Sequence, residues 1–283
     1  MSIEQITVIG AGTMGHGIAQ VAAMAGYHTV LFDIDINAAQ SGLDKIKANL
    51  AKGVEKGKVE QSLADAAINK LAIADEIEPA CATANMVIEA APEKLELKQS
   101  IFASIDKVAN DECIYASNTS SLSIAKLAAG VKRPANFIGM HFFNPVHIME
   151  LLEIVTFDGT SDAALEAAKS VGEAMGKTPI FVKDFPGFAS SRLGVALGLE
   201  AIRMVEQGVA SPQDIDRAME LGYRHPMGPL KLSDLVGLDV RLGIADYLHG
   251  ELKSEVFKAP QLMRDMVEQG KLGKKSGQGF YSW

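Results

Sequence analysis

Three groups of residues in this 283-residue chain have the types and spacing to do chemistry. The first is Gly10-Ala11-Gly12-Thr13-Met14-Gly15, a GxGxxG that follows the β-like run Ile6-Thr7-Val8-Ile9 and opens a helical stretch through Ile18, Val21 and Ala22. Gly10 would make the tight turn, Gly12 would let the backbone approach a pyrophosphate, and Gly15 would let helix pack on strand. Thr13 and Met14 open the helix, whose N-terminal N–H groups favour an anion. Asp33 ends the next strand-like run, near the ~20-residue spacing of a carboxylate that binds a ribose 2′-hydroxyl. A carboxylate there repels a 2′-phosphate, so NAD is expected rather than NADP. Asp35 is a competitor, expected to face solvent. FAD shares the fingerprint, but nothing else in the chain suggests a flavin.

The second group is polar. Glu89-Ala90-Ala91-Pro92-Glu93 follows the apolar run Met86-Val87-Ile88, and Ser117-Asn118-Thr119-Ser120-Ser121 follows Cys113-Ile114-Tyr115-Ala116. Ligands of open α/β sheets sit beyond the carboxyl ends of strands, where both segments fall. The plainer reading of the serine run is an N-cap for a helix beginning at Leu122, but a cap needs one hydroxyl. The third group is a pair, His141 in Ile138-Gly139-Met140-His141-Phe142-Phe143-Asn144-Pro145 and Glu153 in Leu151-Leu152-Glu153-Ile154-Val155. Most lone histidines among apolar residues are satisfied core side chains. A carboxylate within reach turns an imidazole into a base that can take a proton near neutrality and return it. His147 is a weaker candidate for that role.

These residues need a frame. The first 185 or so residues alternate β-like runs (Ile6–Ile9, His28–Phe32, Met86–Ile88, Cys113–Ala116, Phe137–Met140, Leu151–Val155, Pro179–Val182) with helical stretches. Such alternation predicts an α/β fold, a doubly wound, mainly parallel sheet covered on both faces. A helix-favouring insertion over about 37–70 carries Lys45, Lys47, Lys52, Lys56 and Lys58. It is either a solvated helix face or an arm presenting ammonium groups to an anionic ligand. After Asp184-Phe185-Pro186-Gly187 the spacing becomes helical, which divides the chain into 1–185 and an all-α domain over 186–283, with a looser tail from Lys274 to Trp283. Ser211-Pro212 reads as N-cap and N1 of one of its helices.

Composition bounds the function. Twenty-seven basic against 35 acidic residues give a net charge of −8, which argues against nonspecific nucleic-acid binding. No segment has signal-peptide order and no apolar run approaches ~20 residues, so no membrane partner is expected and a cytoplasmic location is. Cys81 and Cys113 lack ligand spacing, and the six histidines include no HExxH, so no metal is expected.

Taken in order, GAGTMGHGIAQ, EAAPE, ASNTSSLSI, GMHFFNPV, LLEIV, DFPGF, HPMGPLKLSDLVGLD and GKKSGQGFY resemble the L-3-hydroxyacyl-CoA dehydrogenases over essentially the whole chain, above all the short bacterial 3-hydroxybutyryl-CoA dehydrogenases. The resemblance implies a Rossmann-type NAD-binding domain followed by a helical domain that forms part of the substrate cleft and the dimer contact. It implies interconversion of (S)-3-hydroxyacyl-CoA and 3-ketoacyl-CoA, with His141 as base, Glu153 as its carboxylate partner and Ser120 as a contact to the substrate oxygen. Asp33 matches the adenosine-ribose ligand. Glu93, Lys98, Asn118, Ser120, Asn144 and Lys275 match positions near the cofactor, and Lys52 and Lys56 match contacts to coenzyme A. One position departs from the pattern. Where family members carry an asparagine that binds substrate before an arginine, this chain has Ser191 before Arg192, shorter and with one donor. Two other readings are a related dehydrogenase of a free hydroxy or sugar acid and a non-catalytic NAD-binding protein. A short-chain reductase is disfavoured, since no tyrosine is followed four positions later by lysine.

Overall fold

The computed structural model describes residues 2–283, which divide into two compact units, 2–184 and 185–283. In the first unit the elements run β1 (Gln5–Ile9), α1 (Thr13–Met24), β2 (His28–Phe32), α2 (Ile36–Glu55), α3 (Gln61–Asn69), β3 (Leu71–Ala74), α4 (Ile77–Ala82), β4 (Met86–Glu89), α5 (Leu95–Ile105), β5 (Ile114–Ser117), α6 (Ile124–Ala128), β6 (Phe137–Phe142), β7 (Leu151–Thr156), α7 (Asp162–Ala174) and β8 (Thr178–Lys183). The eight strands form one sheet in the order β3-β2-β1-β4-β5-β6-β7-β8. All neighbours are parallel except β6 and β7. The chain winds outward from β1 in both directions, so its connections leave opposite faces at the β1/β4 boundary and open a crevice at the strands' carboxyl ends. Ile6, Val8, Leu31, Ile88, Ile138 and Ile154 are fully buried between the helical layers, as strands covered on both faces require.

β3 is absent from the apolar runs above. Leu71-Ala72-Ile73-Ala74 is short and only half-buried, and it is a strand because β2 supplies its hydrogen-bonding edge. The lysine-rich insertion is helical. α2 buries Ala39, Gly42, Ile46 and Leu50 on one stripe, and Asp35, itself exposed, caps it by accepting from the Asn37 N–H at 2.9 Å. The stripe packs on the sheet, while Lys45, Lys52, Lys56 and Lys58 are exposed.

The second unit holds α8 (Ser190–Glu206), α9 (Pro212–Gly222), α10 (Pro229–Val236), α11 (Leu238–Leu252) and α12 (Gln261–Glu268) around Leu199, Ile202, Leu230, Leu238, Leu248 and Met263. Ser211 caps α9 with Pro212 at its first turn. The tail is tighter than the expected loose segment. Buried Asp234 accepts from the N–H groups of Phe280 (3.0 Å) and Tyr281 (2.9 Å) and from the Trp283 indole (3.0 Å). A buried carboxylate must find donors, and these are the ones it has. No helix among the described residues is long and apolar enough to cross a membrane.

Candidate active site

Five parallel strands deliver the polar residues to one edge of the sheet. Ile9 pairs with Phe32 and Glu89, Glu89 with Ser117, and Ser117 with Gly139, two residues before His141. The glycine turn, Asp33, the Glu89–Glu93 segment and the Ser117–Ser121 segment therefore leave the sheet on the same side. The three motif glycines differ in what requires them. At Gly10 (φ +95°) an added Cβ would lie 2.8 Å from the Ala90 carbonyl oxygen, and at Gly15 1.6 Å from that of Gly10. At Gly12 it would meet nothing within 4 Å. The protein's own packing demands the first and third; at the second, the space is open.

Gly12 also opens α1, and among the described residues no side chain caps that end and no acidic residue lies in its first turn. This arrangement fits a pyrophosphate. Asp33 is half-buried, with Oδ2 accepting from the Ala11 N–H at 2.8 Å, so the ribose-type carboxylate is tied to the glycine turn.

His141 and Glu153 are directly paired across the antiparallel β6–β7 ladder, which places their side chains on one face. His141 Nδ1 stands 2.7 Å from Glu153 Oε2, with Glu153 0% exposed and His141 7%. A carboxylate at Nδ1 makes that nitrogen the donor and leaves Nε2 as the basic atom of the neutral ring. The Phe143 ring lies 4.5 Å away, centroid to centroid. The Phe142 N–H donates to Asn118 Oδ1 at 2.9 Å, tying the histidine strand to the polar segment after β5.

That segment is organised by carboxylates. Glu93 Oε1 accepts from the Thr119 hydroxyl (2.6 Å), the Ser120 N–H (3.0 Å), the Ser121 hydroxyl (3.2 Å) and the Ser120 hydroxyl (3.4 Å). Desolvation pushes the Glu93 carboxyl up, but the Lys98 charge and the Thr119 and Ser120 hydrogen bonds outweigh it and hold it below the usual range. Lys98 is 1% exposed and donates to Glu89 Oε1 at 2.6 Å. Glu89, 0% exposed, also accepts from the Ser117 hydroxyl at 2.6 Å. The cap of α6 is Ser123, not a residue of the 117–121 run, and Asp184 accepts from its hydroxyl at 2.8 Å.

Other expected site residues lie on α2, on the loop after β6 and in the second unit. Lys52 lies in the last turn of α2 and Lys56 at its C-cap, both exposed and neither in an ion pair among the described residues. Asn144 is exposed, before a cis Pro145. His147 is exposed on the following loop; partial burial and then the charges of His16 and Lys177 push its imidazole down. Ser191 and Lys275 belong to the second unit. Ser191 is half-buried in the first turn of α8, and Lys275 donates to Asp239 at 2.6 Å. Sequence reading passed over Glu89 and Ser117 as individual residues. The usable signal was a lone acid closing the apolar run Met86-Val87-Ile88, since a buried carboxylate needs a partner. No group of three or more His, Cys, Asp or Glu side chains able to hold a metal lies among the described residues.

Comparison with known proteins places this geometry. Residues 5–185 match the 3-hydroxyacyl-CoA dehydrogenase NAD-binding domain and residues 187–283 its C-terminal domain. The chain is 44% identical to a probable 3-hydroxybutyryl-CoA dehydrogenase of Bacillus subtilis, covering 100% of this chain and 98% of that protein. It is 42% identical to the 3-hydroxybutyryl-CoA dehydrogenase of Bradyrhizobium diazoefficiens, covering 99% and 96%. The crystal structure of (S)-3-hydroxybutyryl-CoA dehydrogenase PaaH1 from Ralstonia eutropha superposes with a TM-score of 0.96 at 40% identity, covering 100% and 99%. Glycine turn, ribose-type carboxylate and full-length likeness agree: the chain belongs to the 3-hydroxyacyl-CoA dehydrogenase family and is an NAD-dependent enzyme.

Proposed function

We propose that the protein interconverts (S)-3-hydroxyacyl-CoA and 3-ketoacyl-CoA thioesters, short ones such as 3-hydroxybutyryl-CoA and acetoacetyl-CoA foremost. The observation that carries this reading is the buried His141–Glu153 pair, held 2.7 Å apart across β6 and β7, with His141 near the end of β6 at the edge of the sheet where the glycine turn and Asp33 leave it. NAD, when bound, supplies the acceptor or donor of the hydride. In oxidation the hydroxyl proton passes to His141 Nε2 as the hydride leaves the carbon; in reduction Nε2 returns it to the forming alkoxide. Glu153 fixes the ring's tautomer and offsets the charge of the imidazolium. Ser120 donates its one hydroxyl proton to the substrate oxygen, turning it from Glu93, which continues to hold the Ser120 main-chain N–H. Ser191 serves the acyl end with a single hydroxyl where relatives offer an amide. Asp33, Asn118, Asn144, Glu93 and Lys275 contact the cofactor, with buried Lys98 behind Glu93, and the exposed ammonium groups of Lys52 and Lys56 meet the phosphates of coenzyme A. We read the assembly as a homodimer formed through the helical unit, as the resemblance implies, and place it in the cytoplasm.

The test is an initial-rate series following NADH absorbance with 3-ketoacyl-CoAs of increasing length and with a free β-keto acid. Activity should be highest with acetoacetyl-CoA and should fall by orders of magnitude in His141→Ala while NADH affinity holds. Equal rates on the free acid would move the substrate class, and full turnover in His141→Ala would overturn the base assignment. Lys52→Ala with Lys56→Ala should raise the KM for CoA thioesters with little change in kcat.

A further inference from the structure

One buried charge has no part in the chemistry above. Glu89 closes β4 with both carboxylate oxygens engaged: Oε1 accepts from Lys98 Nζ and from the Ala91 N–H, each at 2.6 Å, and Oε2 from the Ser117 hydroxyl at 2.6 Å. The Lys98 ammonium also donates to the Ala91 carbonyl at 3.0 Å and stands 3.4 Å from Glu93 Oε2. One ammonium therefore sits between two carboxylates, close to the buried one and farther from the one at the rim. The rim carboxylate is the group that holds Ser120.

We propose that Glu89 is a positioning residue of the active site, keeping Glu93 on Ser120 by holding the Lys98 ammonium. This rests on the reading of Ser120 as a contact to the substrate oxygen. A buried ammonium deprived of its partner draws whatever negative charge lies within reach. With Glu89 neutral, the nearest full charge is Glu93, and a closer ion pair with Lys98 competes with its bonds to Thr119 and Ser120. The Ser120 main chain, and the hydroxyl it carries, then lose their fixed place, although no group that touches substrate has been changed.

A charge role and a shape role predict opposite orders among variants. Glu89→Gln keeps the shape and removes the charge; Glu89→Asp keeps the charge and shortens the reach. With acetoacetyl-CoA and NADH saturating, Glu89→Gln should lower kcat about tenfold or more, the loss of one charged hydrogen bond, and Glu89→Asp should lose less. On a Ser120→Ala background Glu89→Gln should change kcat by no more than about twofold, because both act on one hydroxyl. Wild-type kcat in Glu89→Gln, an Asp variant worse than the Gln variant, or losses that multiply on the Ser120→Ala background would each overturn the proposal. If Glu89→Gln does not fold, Glu89→Gln/Lys98→Met removes both charges of the pair and is compared with Lys98→Met. Equal kcat supports the proposal, and a further tenfold loss refutes it. Wild-type turnover in Ser120→Ala alone strikes the reading of Ser120 itself, and so separates that failure from a failure of the Glu89 inference.

Discussion

Replacing Glu153 by glutamine tests the centre of the mechanism without changing the shape of the site. Glu153 is 0% exposed and accepts at 2.7 Å from a histidine side chain that is 9% exposed, so water screens neither partner. The amide keeps the volume and one acceptor but cannot offset the charge that develops on the ring. A hydrogen bond to a charged group contributes about 1.5–3 kcal/mol. At ~1.4 kcal/mol per decade this is a loss of roughly ten- to a hundredfold in kcat. If the amide turns its NH2 toward Nδ1, the ring proton is forced onto Nε2 and the loss is larger, because the basic atom is then occupied. Stopped-flow and steady-state absorbance of NADH with acetoacetyl-CoA measure kcat, and quenching of cofactor fluorescence measures NADH affinity. Affinity should move less than about twofold, since in the proposed mechanism Glu153 acts only on the proton-transfer step. On a His141→Ala background the same substitution should cost nothing more, because the two residues act as a unit. A Glu153→Gln protein with normal melting and kcat within about threefold of wild type would refute the assignment.

The glycine turn offers a contrast. Gly15→Ala should abolish folding or cofactor binding outright, since its Cβ would lie 1.6 Å from the Gly10 oxygen, whereas Gly12→Ala should melt like wild type and lose NADH affinity, read by fluorescence titration. Glu93 carries a pH signature. Its folded carboxyl is held below its ordinary value of 4.5, so its contribution is fully present above that pH and is lost as pH falls through the lower folded value. The gap in urea midpoint between wild type and Glu93→Gln should therefore be constant above about pH 5 and shrink on further acidification. Cys81 and Cys113 are buried, and desolvation pushes both thiols up to about 12. At pH 8 about one thiol in ten thousand is ionised. Iodoacetamide should label neither until the protein is unfolded, as mass spectrometry would record.

The α/β alternation, the glycine turn with Asp33, the Ser211 cap and the change to helical spacing near residue 185 were legible in the linear order of residues. Each rests on local physics: a period, a turn requirement or a cap that neighbours along the chain satisfy. β3 was not legible, because Leu71–Ala74 is a strand only beside β2. The tail was misjudged for the same kind of reason, since Asp234 lies 46 positions before the Phe280 N–H it accepts from. The lysine-rich segment showed its charge in the sequence, but the stripe through Ile46 and Leu50 that seats α2 on the sheet became visible only once the sheet existed.

The site divides along the same line. Residue types singled out His141, Glu153 and Asp33, and the family resemblance added Ser120, as expected base, carboxylate partner, ribose acceptor and substrate contact. The tertiary structure alone decided that His141 faces Glu153. An antiparallel partner sets residues opposite one another at a register the linear order does not contain, and a slip of one residue would have turned the glutamate to the other face of the sheet. It also decided that Glu89, Lys98 and Glu93 share one ammonium. Charges removed from water must find each other, and which ones meet depends on the fold that buries them.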